Sequence, residues 1–263
     1  GQLGLSLFGF ASLSGFFSFE SATRNITLSD NTSLAADALL VGGTGVSAFV
    51  GVNGGTADQV GLSLTGADFG LALLSSRSDP ARSWTSLQAS ASALSFVGIE
   101  GLTASGSAIT LSINQAGRAN DAVVDYGRTS LAVPKGDGSS RTLTLAGSEG
   151  EVIKAAATVD LNLFGFFSVK GGFAIEQRHQ DVTLSDASVI QSAELVTIGA
   201  SDVQAFAGVR GGTPDQTGLA LGGVNFGLAL VTDPTAPAST ASIWAFSFAG
   251  LVRLVPSRAP PRW

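Results

Sequence analysis

The stretch that decides the fold is VQAFAGVRGGTPDQTGLALGGVNFGLAL at residues 203–230, because residues 46–73 already carry it as VSAFVGVNGGTADQVGLSLTGADFGLAL. The match extends outward, since LSLFGFASLSGFFSFE at residues 5–20 corresponds to LNLFGFFSVKGGFAIE at residues 161–176. The offset is about 156 residues before a one-residue slip near Gly45 and about 157 after it. The 263 residues therefore hold one full repeat and part of a second.

This repeat predicts the domain organisation. We expect a first β repeat over residues 1–156 and a second, partial β repeat over residues 157–256. Residues 257–263 (SRAPPRW) have no counterpart in the first copy, and their proline and arginine content predicts a flexible tail. Apolar residues and glycines are kept between the copies while polar residues change, as where His179 replaces Thr23, and this pattern indicates a scaffold.

The composition predicts an all-β protein. Hydrophobic residues make up 44% of the chain and charged residues 13%, yet no apolar run approaches the roughly 18–20 residues that a transmembrane helix needs. No transmembrane segment is therefore expected. The 34 glycines, together with many Ser, Thr, Ala and Val residues, are typical of turns and strands and unfavourable for helices.

Charge and cysteine content exclude several classes of function. The formal net charge is −6 and the 14 basic residues are scattered, whereas a nucleic-acid surface needs clustered Lys and Arg. We therefore expect no nucleic-acid partner. The chain has no cysteine, so it forms no disulfide and offers no thiolate to a metal or a substrate. An extracellular location is compatible with these features.

Alternating apolar residues predict strands. Residues 3–19 place leucine, alanine or phenylalanine at alternate positions, with Gly9 and Gly15 in phase with them, which is the period of a β-strand. Other runs change phase once: Leu62 and Leu64 are in one phase, and Phe69 and Leu71 are in the other. A one-residue slip indicates a bulge or a corner, because otherwise the later side chains would point to the wrong face.

Two architectures follow from these slips. A β-solenoid is favoured, because each repeat divides into about eight blocks of about 20 residues, which suits coils joined at glycine corners. At about 4.8 Å between stacked strands, such an elongated array would form a rod about 60 Å long. The alternative is a long-stranded antiparallel sandwich or groove, which residues 161–175 favour because they keep one phase throughout.

Residues that could carry catalysis are sparse, and we expect no enzymatic activity. His179 is the only histidine, so neither a multi-histidine metal site nor a conventional triad supported by a GxSxG motif is available. The aspartates stand singly at predicted turns or strand ends, where their carboxylates bond the local backbone. These are Asp30, Asp58, Asp68, Asp186, Asp202 and Asp215.

Calcium is the one cofactor for which the sequence offers candidate ligands. Asp58 and Asp215 occupy equivalent GGT-containing turns, and a carboxylate with loop carbonyls suits Ca²⁺. The surroundings match neither the EF-hand loop nor the nonapeptide repeat of calcium-binding β-rolls. Asp58 and Asp215 are thus weak calcium candidates, and a plain Asp-stabilised turn is the alternative. No other metal or cofactor is expected.

The first strand is predicted to be adhesive. Residues 3–19 carry five phenylalanines and no charge, so an unpaired edge here would present a template for another strand. We expect end-to-end self-association, which produces filaments if the contact does not close. The alternative is that this end folds back or is covered by the tail. The predicted edge residues are Leu3, Leu5, Leu7, Phe8, Phe10 and Phe17.

The motifs FVGVNGGTAD, GLSL and FGLAL, with SFVGIEGLTASGSAITLSIN at residues 95–114, support a resemblance. In them the chain resembles the long repeat regions of very large secreted or surface-attached bacterial proteins of the adhesin and matrix-fibre kind. The resemblance implies an extended array exported from the cell, in which the repeats act as a stalk or fibre. It implies no catalytic or ligand-binding residue.

The resulting prediction is a structural or adhesive segment of an extracellular bacterial fibre or cell-surface protein. Its expected partners are copies of itself or neighbouring repeats, with cell-surface polysaccharide as a further ligand class. Two alternatives from other classes stay open: a polysaccharide-processing β-helix enzyme, and a binding module whose apolar β groove holds lipid.

Overall fold

A computed structural model describes residues 1–119, 121–235 and 242–255 of the chain. Eleven strands form one open antiparallel sheet, and strands that are consecutive in the sheet are also consecutive in the chain except where two short strands intervene. The strands of the large sheet are β1 Gln2–Leu7, β2 Ala11–Thr27, β3 Ser33–Val52, β4 Val60–Ser76, β5 Ser83–Val97, β6 Leu102–Ala116, β9 Val152–Leu163, β10 Phe167–Thr183, β11 Val189–Val209, β12 Thr217–Thr232 and β13 Ser242–Val255. The short strands β7 Ala132–Pro134 and β8 Ser140–Thr142 form a separate hairpin.

The all-β prediction is confirmed, and the only helical element among the described residues is the single 3-10 turn Gly147–Glu149. The favoured solenoid is not confirmed. Neighbouring strands pair antiparallel through hairpins, whereas a solenoid stacks successive coils in parallel. Most strands of the sheet are also 12 to 21 residues long, far longer than the coil segments expected between glycine corners.

The phase slips are bulges inside long strands. Gly45 and Gly66 have φ values of 59° and 63°, in the left-handed region that glycine adopts readily, and the β3–β4 register shifts between them. Gly223 has a φ of 60° at the matching place in β12, where the register with β13 shifts as well. The extra residue of a bulge reverses the alternation, so the apolar side chains stay on one face along the whole strand.

One face of the sheet is apolar across its full width, and we call it the apolar face. Residues paired in register share a face, so a row of pairs can be followed from strand to strand. A single row crosses all eleven strands without a polar residue: Leu7, Ala11, Val50, Leu62, Phe96, Ala104, Leu161, Val169, Ala205, Leu221 and Val252.

Residues 121–151 between β6 and β9 cover part of the opposite face, and we call this segment the cap. Its first part bonds to the end of β2, where Val124 forms an isolated bridge with Leu28. The cap and the strands beneath it enclose the main hydrophobic core, which is the largest of the three core clusters among the described residues and stabilises the fold by burying apolar surface. This core contains Ile26, Leu28, Ala36, Ala38, Leu40, Ala72, Leu74, Trp84, Val124, Tyr126, Leu131, Val133, Leu143 and Leu145.

The second copy repeats the strands of the first without a visible break. The strand β9 pairs with β6 on one side and β10 on the other, so the sheet continues across residue 156. The second copy has two small core clusters among the described residues, one of Ala193, Leu195 and Val231 and one of Ala200, Val203 and Val224. The predicted tail, residues 257–263, lies outside the described residues. Among the described residues no helix is long and apolar enough to span a membrane.

Candidate functional site

The predicted edge residues lie at the first strand of the sheet. Among the described residues β1 pairs only with β2, so its other side carries unpaired backbone groups. Leu3, Leu5 and Leu7 face the apolar side and are 40%, 57% and 57% exposed. An exposed apolar edge strand without charge or proline is the arrangement that pairs most readily with another strand.

The hydrogen-bonding pattern shows which groups of β1 point outwards. Gly1 N donates to Phe17 O at 2.7 Å, and Phe17 N donates to Gly1 O at 2.9 Å. Because such exchanging pairs alternate with non-bonded pairs, the odd-numbered residues of β1 bond inwards to β2. The N–H and C=O groups of Gln2, Gly4 and Ser6 therefore point away from the sheet.

Phe8 and Phe10 belong to the hairpin turn after β1. Phe8 has a φ of 45° and is 89% exposed, which leaves its ring in solvent. The second copy has the same feature, with exposed Phe164 and Phe166 in the turn after β9. The sequence did not single out these two residues, although the motif LFGF at residues 7–10 recurs at residues 163–166 and could have revealed them.

Phe17 lies away from the edge. It is in the second strand, partly buried, with its ring centroid 6.4 Å from that of Phe69. Gly43 separates the two rings along the row, and the missing side chain leaves room for Phe69. Phe17 is therefore part of the apolar face, and the predicted edge reduces to β1 and the turn that follows it.

The calcium candidates occupy two separate turns. Asp58 and Asp215 lie six strand positions apart, which is about 29 Å at the usual strand spacing. Each turn bonds its own polar groups, as where Thr56 Oγ donates to the carbonyl of Asn53 at 2.8 Å. No group of three His, Cys, Asp or Glu side chains among the described residues could hold a metal ion together. Calcium binding at these turns stays a prediction.

His179 is half exposed and has a carboxylate neighbour. Its Nδ1 lies 3.4 Å from Glu151 Oε2, and it pairs in register with Glu194. No serine hydroxyl is bonded to it among the described contacts. The arrangement suits a surface ion pair when the imidazole is protonated.

Asp68 has a role that the sequence did not predict. Its carboxylate accepts hydrogen bonds from Lys135 Nζ at 2.5 Å and from Arg141 Nη1 at 2.6 Å, both from the cap hairpin. Partial burial acts to raise the pKa of Asp68, but the bonds from Lys135 and Arg141 outweigh it and lower the pKa below its usual value. Asp30 and Asp186, in contrast, bond the local backbone as expected.

A buried polar group also joins the cap to the sheet. Asn114 is fully buried, and its Nδ2 donates to the carbonyl of Val124 at 2.8 Å while its Oδ1 accepts from Ser86 Oγ at 3.0 Å. Trp84 Nε1 donates to the carbonyl of Ala122 at 2.8 Å. These bonds satisfy polar groups that would otherwise be costly to bury, and they determine where the cap sits.

Two glycines allow the cap to approach the sheet closely. A Cβ added to Gly42 would lie 2.0 Å from the carbonyl oxygen of Pro134, closer than any real contact. A Cβ at Gly70 would lie 3.2 Å from Cβ of Val133. Gly42 and Gly70 are paired in register, so together they form a flat seat under the hairpin of β7 and β8.

The chain thus defines a class: an all-β repeat protein with one wide antiparallel sheet, one apolar face and a cap on part of the other. No family model, curated protein or solved structure matches the chain.

Proposed function

We propose that this chain is a structural segment that joins other sheets of its kind through their strand edges. The observation that carries the proposal is the edge strand β1, where Leu3, Leu5 and Leu7 are exposed beside backbone groups that have no partner among the described residues. A strand added to this edge would satisfy those groups and continue the apolar face into the next sheet. The neighbour is another copy or an adjacent repeat.

The edge lacks the devices that usually prevent such pairing. The strand QLGLSL contains no Lys, no other charged residue and no proline, and its backbone shows no bulge against β2. A continuous apolar face adds burial wherever two such sheets align. Following the resemblance to bacterial adhesin and fibre repeats, we place this segment in an extracellular or cell-surface assembly without enzymatic activity.

Lipid binding is a second candidate, favoured by the apolar face itself. Its residues remain exposed in the interior of the sheet as well as at the edge, for example Leu62 at 46% and Ile175. With eleven strands, the sheet is about 48 Å wide, so the face far exceeds the few hundred Å² of apolar surface usual for a monomer.

One set of variants distinguishes these candidates. Ser6→Pro removes an outward N–H group of β1 and leaves its bonds to β2, and Ser6→Ala is the matched control. Leu62→Lys places a charge on the apolar face in β4, away from both edges. Association through the edge is expected to be lost in Ser6→Pro and kept in Ser6→Ala and Leu62→Lys.

Sedimentation velocity at rising protein concentration measures the association. A wild-type chain that stays monomeric would contradict the edge proposal, as would association that Ser6→Pro leaves unchanged. Flotation with phosphatidylcholine vesicles tests the second candidate. Binding that Leu62→Lys weakens and Ser6→Pro leaves intact would favour lipid binding by the face.

A further inference from the structure

A groove of about 670 Å³ lies over the second copy, on the face opposite the apolar face. It crosses strands β6 and β9–β13, and its floor consists mostly of small residues. The lining includes Gly199, Gly227, Lys154 and Glu176 on the cap side of the sheet, together with Ile175 and Leu228, which alternate to the apolar face. A second cavity of about 460 Å³, lined by Gly172 and Phe173 among others, adjoins it.

The groove is the counterpart of the seat that the cap occupies in the first copy. Gly199 pairs with Gly227 in the register of β11 and β12, as Gly42 pairs with Gly70 in β3 and β4. The next pair towards the core is Thr197 with Ala229, which corresponds to Leu40 with Ala72. The internal repeat therefore places a pair of glycines at equivalent positions on the same face of both copies.

The two floors differ in what covers them. In the first copy Gly42 and Gly70 are buried beneath the cap hairpin, with Pro134 and Val133 directly above. In the second copy Gly227 is exposed and has no described atom within 4 Å of an added Cβ. A Cβ on Gly199 would meet only the carbonyl oxygen of Phe226, at 4.0 Å.

We propose that this groove is a second hairpin-binding seat, which takes an extended β-hairpin of the kind formed by β7 and β8. Two glycines side by side in a sheet weaken the strands and are retained where another backbone approaches closely. The first copy shows that approach directly, since a side chain at Gly42 would displace the Pro134 carbonyl.

The polar groups around the groove define the chemistry of the hairpin. Asn225 stands where the first copy has Asp68, and its Oδ1 accepts from the backbone N–H of Asp202 at 3.1 Å. Its Nδ2 donates to the carbonyl of Gly223 at 3.1 Å. The amide is satisfied by the sheet itself, so the groove offers a hairpin no carboxylate at the position where Asp68 bonds Lys135 and Arg141 of the cap.

This inference is independent of edge association, because the groove lies on the face opposite the leucine side chains of β1, over β6 and β9–β13 and away from that edge. The probe for the test is a peptide of residues 128–145 of this chain, labelled with a fluorophore. Ala132→Cys and Thr142→Cys in the peptide, which face each other in register, allow a disulfide to hold it as a hairpin.

Fluorescence anisotropy with the full chain measures binding of the peptide. Saturable binding at one site is expected, and Gly227→Val should weaken it at least tenfold because the side chain fills the floor. Gly222→Val is the matched control: it lies in the same strand, has open space above it and does not line the groove. Binding that is absent, or that Gly227→Val leaves unchanged, would overturn the proposal.

A variant that should bind the peptide more tightly tests whether the hairpin lies in this groove. Asn225→Asp supplies the carboxylate that Lys135 and Arg141 bond in the first copy, so it should tighten binding of the peptide about fivefold. A peptide with Lys135→Ala and Arg141→Ala should show no such gain. An equal gain for both peptides would mean that the hairpin does not lie over Asn225, and the assignment of the seat would be wrong.

Discussion

Arg141 Nη1 donates to Asp68 Oδ1 at 2.6 Å. This bond joins the cap hairpin to β4 beside the bulge at Gly66. The carboxylate is also bonded by Lys135, so one acidic residue of the sheet holds two basic residues of the cap. The second copy has Asn225 at this position, so it lacks the carboxylate that bonds the cap in the first copy. The attachment and the buried core beneath it lead to four predictions.

Asp68→Asn should lower the free energy of unfolding by about 1 kcal/mol, a small value because solvent screens this partly exposed group. The pKa of Asp68 is lowered in the folded chain, so its contribution is present above the unfolded value of about 3.8 and is lost as the pH falls through the lower, folded value. Urea unfolding at neutral pH and at pH below this range measures both effects.

Asp58→Asn, in an exposed turn without such partners, is the control for this change. It should leave stability at neutral pH nearly unchanged. Equal destabilisation by both substitutions would show that the ion pairs of Asp68 contribute nothing specific.

Tyr126 should resist ionisation in the folded chain. Burial raises its pKa well above the ordinary value of 10.0. Because the unfolded state releases the proton first, stability is full below about pH 10 and declines as the pH rises towards the folded pKa. It is the chain's single tyrosine, so absorbance at alkaline pH reports on it alone. Ionisation near pH 10 without unfolding would contradict the burial of this ring between the cap and the sheet.

Gly42→Ala and Gly199→Ala form a matched pair across the repeat. The methyl group at residue 42 would collide with the carbonyl of Pro134, whereas residue 199 has open space. We expect Gly42→Ala to cost about 2 kcal/mol through displacement of the cap, and Gly199→Ala to be nearly neutral. Denaturant unfolding of the two variants gives the comparison, and similar losses in both would refute the proposed close contact.

Asn114→Ala should destabilise the chain by about 2–3 kcal/mol, because it leaves the carbonyl of Val124 and the hydroxyl of Ser86 buried without their partner. Cleavage by a protease should then appear first within residues 121–151, since the cap loses an attachment. Asn25→Ala, at an exposed position of β2, serves as the reference. Unchanged stability and unchanged cleavage in Asn114→Ala would show that this bond does not hold the cap.

The strand content and the repeat could be predicted because they depend on local patterns. Alternation of apolar residues follows from the two-residue period of a strand, as in residues 167–175 of β10. Residues 161–163 share that phase but belong to β9, because the turn at residues 164–166 separates the two strands. The slip between Leu64 and Phe69 also revealed an irregularity. It did not reveal which kind, because a corner and a bulge shift the alternation by the same one residue.

The partners of each strand and the position of the cap were decided only by the tertiary structure. Phe17 reads as an edge residue in sequence, yet its strand pairs on both sides. Asp68 reads as a turn residue, yet its partners are about 70 residues away. By itself the sequence determined an all-β chain with one apolar face per strand. The fold of residues 121–151 onto β2–β5 depends on long-range burial around Trp84 and Asn114, for which no local periodicity exists.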